Sequence, residues 1–198
     1  DTKEFDKAEI ITNGNMNTLE VIKCLAERPL KFEPGERWMY GLSHDILAAV
    51  VEVVSGKKFR EYVKENIFIP LGMEKSAYHI EDIEEKMAQQ YRYVNSAETD
   101  AVKLQATGTE NEGYREIAGD KNKFIFGAEY DSGGAGVIST VSEYSRFVTA
   151  LANGGIGENG ERILSRKAID LMRENYLDEK QLQTFNWTQL KMKENGHY

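Results

Sequence analysis

The sequence is short of four things, and each absence narrows what the chain can be. Cysteine occurs once, at Cys24. No internal disulfide can form, and the redox compartment stays open. Its place in an apolar stripe points to a buried, unreactive thiol. No apolar run approaches the roughly 18 residues that a membrane-spanning helix needs. Basic charge is scarce: 25 Lys and Arg face 33 Asp and Glu, a net charge of −8 at pH 7. Nucleic-acid binding requires a basic surface that neutralises phosphates, so that class of partner is excluded. Metal-ligand spacing is missing too. His44, His79 and His197 are the three histidines, and each reads as a surface or helix-terminal residue. No cofactor is implied.

What is present suffices for a core. The 198 residues are 40% hydrophobic and 10% aromatic, which argues against global disorder and is most simply one domain over residues 1–198. The start, Asp1-Thr2-Lys3-Glu4, is neither a signal peptide nor an initiator methionine. The far end, Glu194 to Tyr198, has no helix stop and no charged tail. Both read as cut ends, so the chain is expected to be a fragment of a larger protein. These residues assign no localisation.

Periodicity predicts several helices. Residues 18–28 form a short one, with Thr18 as cap and Leu19, Ile22 and Leu25 on one face. Arg28-Pro29 ends it. Residues 30–42 form an extended connector with a Pro34-Gly35 turn. Ser43 then caps the strongest helix. Ile46, Leu47, Val50, Val51 and Val54 make one continuous aliphatic face, and Gly56 sits where a left-handed cap belongs. Burying that face would contribute on the order of 10 kcal/mol before entropy, so the helix is expected to anchor the core. A second helix at 58–67 turns Phe59, Tyr62, Val63 and Ile67 inward until Pro70-Leu71-Gly72 stops it. Residues 81–131 read as an irregular excursion with one hairpin, its strands drawn from Tyr91, Tyr93, Val94, Phe124, Ile125 and Phe126; so long a loop is often functional. Thr140-Val141-Ser142-Glu143 fits a capping box, with Tyr144, Phe147, Val148 and Leu151 behind it. Ser165 caps a helix through Met172, and Asp178 to Gln181 makes one more capping box.

Several segments together resemble one family. They are Phe32-Glu33-Pro34-Gly35 with Tyr40, Val53 to Lys57, Ile67 to Met73, Ser132 to Thr140, Asn153-Gly154-Gly155, and Gly160 to Ser165. In this order and at these gaps they resemble the β-lactamase-like serine hydrolases, which include class C β-lactamases, D-alanyl-D-alanine carboxypeptidases, D-aminopeptidases and related carboxylesterases. The likeness covers residues 30–80 and 130–175. It implies acyl transfer through an activated serine. That chemistry joins a Ser-x-x-Lys pair on one helix face, a proton-moving tyrosine in Tyr-x-Asn or a variant, and a strand motif, Lys-Thr-Gly or His-x-Gly. Tyr40 matches the tyrosine. A tyrosine in that role needs neighbouring ammonium groups to ionise near neutral pH. Leu42 stands where lactamase-type members carry asparagine, so amide readout is lost and an ester or a different amide is favoured. Trp38, two residues before Tyr40, is expected at a pocket wall. Ser132, Gly133 and Gly134 are expected at the site rim, where consecutive glycines let backbone approach closely.

The nucleophile is not found. Ser55-Gly56-Lys57-Lys58 fits Ser-x-x-Lys as a string, but Gly56 reads as a helix end and the family places its serine before the tyrosine. Thr188 to Lys191 is a threonine variant without context. Neither strand motif occurs. The resemblance therefore implies a mainly α chain with minor β, the helical domain of a β-lactamase/transpeptidase-like α+β fold whose sheet-forming segments are absent. The parent enzyme is expected to hydrolyse a small-molecule ester or amide, with this fragment inert alone. The competing reading is a non-catalytic binding module built on the same scaffold. A half-scaffold exposes surface meant for its missing partner segments, so self-association is expected.

Overall fold

A computed structural model describes residues 15–79, 87–88, 91–94, 113–116 and 129–189. It is mainly helical. Helix α1 spans Thr18–Ala26, α2 Ser43–Ser55 and α3 Phe59–Val63. A π-helical turn, Lys64–Phe68, continues α3. Two short strands follow, β1 at Tyr91–Val94 and β2 at Gly113–Glu116. Helices α4 (Val141–Ala152), α5 (Arg166–Met172) and α6 (Glu179–Gln189) complete the order. The strands pair antiparallel, Tyr91 opposite Glu116 and Val94 opposite Gly113. Within 81–131 the described residues hold this one antiparallel strand pair, its second strand Gly113–Glu116. Phe124, Ile125 and Phe126 lie outside the described residues.

The helix ends follow the chemistry of their residues. Gly56 closes α2 at φ +71°, a conformation that costs glycine little. Ser165 Oγ accepts from the Ala168 N–H and starts α5. Asp178 and Gln181 form a reciprocal capping box before α6: the Gln181 N–H donates to Asp178 at 2.8 Å, and the Asp178 N–H to Gln181 Oε1 at 3.2 Å. Two starts differ from expectation. Asn17, not Thr18, caps α1. Leu42, not Ser43, precedes α2, and it supplies no side-chain cap. The expected box at Thr140 is half made. Thr140 Oγ1 accepts from the Glu143 N–H, while the Glu143 carboxylate reaches across to the Lys75 N–H and the Ser76 hydroxyl.

Among the described residues, two apolar clusters form the core. One joins Val63, Phe68, Leu71, Met73, Tyr78 and Ala150, with Phe59, Ile67, Phe147 and Ile163 against it. The other joins Met16, Val21, Cys24 and Tyr130. Cys24 is buried, as its stripe implied. Tyr62 is corrected: it stands on the exposed side of α3.

The buried faces of three helices are rotated away from their aliphatic stripes. In α1 the buried residues are Thr18, Val21 and Cys24, rather than Leu19, Ile22 and Leu25. In α4 they are Glu143 and Ala150, while Tyr144 and Val148 are exposed. The difference is largest in α2, which does not anchor the core through its aliphatic face. It buries Asp45, Ala48 and Ala49, and leaves Leu47 59% and Val54 82% exposed, with Ile46, Val50 and Val53 also at the surface. The physical reason is spacing. Alanines and a hydrogen-bonded carboxyl let neighbouring backbone come within van der Waals contact, which leucine and valine would prevent.

Glu52, late in α2, accepts the Phe59 N–H at 3.0 Å and so joins α2 to α3. Burial, only partly offset by that hydrogen bond, raises its pKa above the ordinary 4.5. The charged form is thus disfavoured by folding, and stability falls as pH rises from below 4.5 through the raised value. Glu52→Gln keeps the acceptor and removes the charge. The variant is expected to melt higher than the parent at pH 7, with the gap closing in melts below pH 4.5. A parent that melts higher at pH 7 contradicts this.

Candidate active site

The connector before α2 carries Trp38 and Tyr40. Its Gly35 turns at φ +83°, and α6 holds it from one side. The Gln181 side-chain amide donates to the Gly35 carbonyl at 2.6 Å, and the Trp38 N–H donates to Thr184 Oγ1 at 3.0 Å. The Trp38 ring meets Phe185 edge-on, centroids 5.0 Å apart. Tyr40 packs edge-to-face on Trp38 at 6.5 Å, and is otherwise open, 78% exposed. Its hydroxyl has no hydrogen-bond partner among the described residues. Leu42 is half-buried at the helix mouth.

The segment 130–136 lies on the first turn of α2. The Tyr130 hydroxyl donates to Asp45 Oδ1 at 2.8 Å, and the Ser132 hydroxyl donates to the same oxygen at 2.9 Å. Ser132 Oγ also accepts from the Gly134 and Ala135 N–H groups. A Cβ added at Gly133 would lie 2.1 Å from the His44 carbonyl oxygen and 3.0 Å from Ala48 Cβ. Glycine is therefore required there for approach. The structure thus brings Ser132, Gly133 and Gly134 onto the helix that Tyr40 precedes. Ser132 is buried and its hydroxyl is engaged inside the chain; Tyr40, Gly41, Ser43, His44, Gly134 and Ala135 are exposed at this end.

Asp131, between these residues, is 1% exposed. Its Oδ2 accepts the Arg60 N–H at 3.0 Å, and its Oδ1 meets His79 Nε2 at 2.9 Å. Its backbone N–H donates to Thr18 Oγ1 at 2.8 Å, and that hydroxyl donates back to the Asp131 carbonyl at 3.1 Å. His79 is corrected from a surface residue to a buried partner of this carboxylate. Burial, the Asp45 hydrogen bond and the Asp45 charge push the Tyr130 phenol above its usual range. Burial also raises Tyr78, helped by Asp131 and Asp45. Both stay neutral phenols at physiological pH. Nearby Glu129 is lowered, first by its hydrogen bond from Lys58.

The decoy pair separates in space. Ser55 Oγ accepts the Lys57 N–H at 3.2 Å, and the Lys58 ammonium pairs with Glu129. Lys191 lies outside the described residues. No group of three or more His, Cys, Asp or Glu among the described residues could hold a metal, and no described helix is long and apolar enough to cross a membrane. Sequence reasoning missed Tyr130 and Asp131, and noted Asp45 only within the Ser43-His44-Asp45 run without a role. Two signals were available: a carboxyl opening an aliphatic helix, and a Tyr-Asp-Ser run directly before paired glycines.

The family model described as Beta-lactamase matches residues 3–191, and the chain belongs to that family. Protein Rv1367c of Mycobacterium tuberculosis is 26% identical over 161 residues, 81% of this chain and 36% of that protein. Lovastatin esterase of Penicillium rubens is 43% identical over 51 residues, 26% of this chain and 13% of the esterase. Among solved structures, unliganded simvastatin synthase (LovD) from Aspergillus terreus aligns with a TM-score of 0.61 at 22% identity, covering 92% of this chain and 37% of that one. At that identity the likeness shows the fold alone. The chain spans little more than a third of Rv1367c and of LovD.

The glycine contact is open to test. Gly133→Ala is expected to destabilise the chain by about 2 kcal/mol or more, because backbone must move to admit the methyl. Gly41→Ala, with nothing within 4 Å of its added Cβ, is expected to stay within about 0.5 kcal/mol of the parent. Urea midpoints of the two variants decide it.

Proposed function

We propose that this chain is the central helical part of a serine hydrolase that cleaves an ester or amide through an acyl-serine intermediate, with Tyr40 as its proton-transfer partner. One observation carries the reading. In a chain of the Beta-lactamase family, the tyrosine at the mouth of α2 is open and its hydroxyl is uncommitted, while its neighbours Trp38 and Asp45 are held fast. A phenol so placed can pass a proton between a serine hydroxyl and a leaving group delivered by other segments. Trp38 forms the wall beside it, Leu42 removes amide readout at the helix mouth, and the Ser132-Gly133-Gly134 turn forms the rim. The esterase relative favours an ester.

No Ser-x-x-Lys in suitable context occurs within these 198 residues, so the chain by itself is inert. In the parent enzyme, the remaining segments of the hydrolase cover the aliphatic face of α2; a chain spanning 37% of the LovD structure leaves ample length for them. Without those segments the same face drives association of copies, since burying one such side chain is worth about 1.5–3 kcal/mol.

The test uses the full reading frame that encodes this segment. It is expected to hydrolyse p-nitrophenyl butyrate or nitrocefin, and Tyr40→Phe to lower kcat by about 100-fold or more. Undiminished turnover in Tyr40→Phe removes the proposed role, and turnover by the purified 198-residue chain removes the fragment reading. Sedimentation of the chain alone is expected to show association that Val50→Lys with Val54→Lys abolishes. A monomer at all concentrations contradicts the exposed-face account.

A further inference from the structure

We infer that Asp45 is a positioning residue for Tyr40, which deepens the proposed function and rests on it. Tyr40 cannot fix its own place. Its hydroxyl has no hydrogen-bond partner among the described residues, a Cβ on Gly41 would touch nothing within 4 Å, and Leu42 gives the helix no side-chain cap. The phenol is therefore set by its flanks. Upstream, the Trp38 N–H is tied to Thr184 and its ring to Phe185. Downstream, the first firm hold is Asp45, in the opening turn of α2.

The Asp45 carboxyl is used in an unusual way. An acid in a first helical turn commonly faces solvent or accepts the helix's own N–H groups. This one is buried and takes no backbone N–H among the described residues. Its Oδ1 receives two hydroxyls, Tyr130 at 2.8 Å and Ser132 at 2.9 Å. Those two residues bracket Asp131, which is itself locked to Arg60, His79 and Thr18. Immediately beside Asp45, the His44 carbonyl abuts Gly133. The mouth of α2 is thus keyed to a rigid tripeptide. Burying a carboxyl is costly unless it is hydrogen-bonded, and apolar packing of the same space is cheaper. The arrangement fixes direction where plain packing fixes only volume.

The geometry sets what each substitution does. Both donors meet one oxygen, and an amide oxygen has two lone pairs to receive them. Asp45→Asn therefore keeps the key, and Asp45→Ala deletes it. In the enzyme encoded by the full reading frame, assayed where every variant is folded, Asp45→Ala is expected to lower kcat about 10- to 100-fold with KM within about 3-fold. Asp45→Asn is expected within about 5-fold of the parent. Tyr130→Phe, a milder lesion that removes one donor, is expected to fall between them and serves if Asp45→Ala does not fold. A kcat unchanged in Asp45→Ala, an Asn variant as impaired as Ala, or kcat and KM moving together overturns the inference. A second arm needs no activity. Hydrogen exchange on the 198-residue chain is expected to accelerate about 10-fold or more across residues 40–47 in Asp45→Ala and not in Asp45→Asn. Equal exchange in all three proteins overturns the inference even if the parent reading frame turns over no substrate, an outcome that instead rejects the serine-hydrolase reading.

Discussion

The backbone and side chain of Asp131 hold together parts of the chain that sequence keeps far apart. Its peptide group exchanges two hydrogen bonds with Thr18 at the head of α1. Its carboxylate accepts the Arg60 N–H that opens α3, and meets the buried His79 ring. Its neighbours Tyr130 and Ser132 both donate to Asp45 in α2. Thr18, Asp45, His79, Tyr130, Asp131 and Ser132 are all buried and Arg60 is partly so, so a partner lost on one side leaves an uncompensated polar group on the other. Three helices are consequently oriented by a single extended tripeptide rather than by the meshing of their largest side chains.

That constraint explains which parts of the fold were legible in the sequence. The caps at Ser165 and Asp178 and the left-handed Gly56 are local chemistry, and they stand where their residues put them. The helix positions follow from periodicity in the same way. The inward faces did not follow, because periodicity reports where apolar side chains gather and not what covers them. Thr18, Asp45 and Glu143 point inward because distant loop groups satisfy them, and such pairings have no signature at short range. The π-helical turn after Val63 was likewise hidden: Ile69 and Met73 reach back five residues for their carbonyls, at 2.9 Å and 2.8 Å, and no pattern of residue types marks that register.

The site was legible in a similar, partial way. Tyr40, Trp38 and the Ser132 turn are marked by residue type and order. What places them is not. The Trp38 contact with Phe185 and the Asp45 contact with Ser132 span well over eighty residues each, and only the folded chain reveals that they flank one phenol. Glycine at 133 carries the same lesson. It serves no turn of positive φ; it is needed because the carbonyl of His44 occupies the space a side chain would take.

Cys24 gives this architecture a built-in reporter. The lone thiol is buried in the same small cluster as Tyr130, whose hydroxyl is bound to Asp45. Because the sulfur is buried, a reagent reaches it only when that cluster opens. The rate at which an aromatic disulfide such as Ellman's reagent consumes that thiol therefore counts the openings of the joint itself, without a label, a substrate or a second cysteine to confuse the signal.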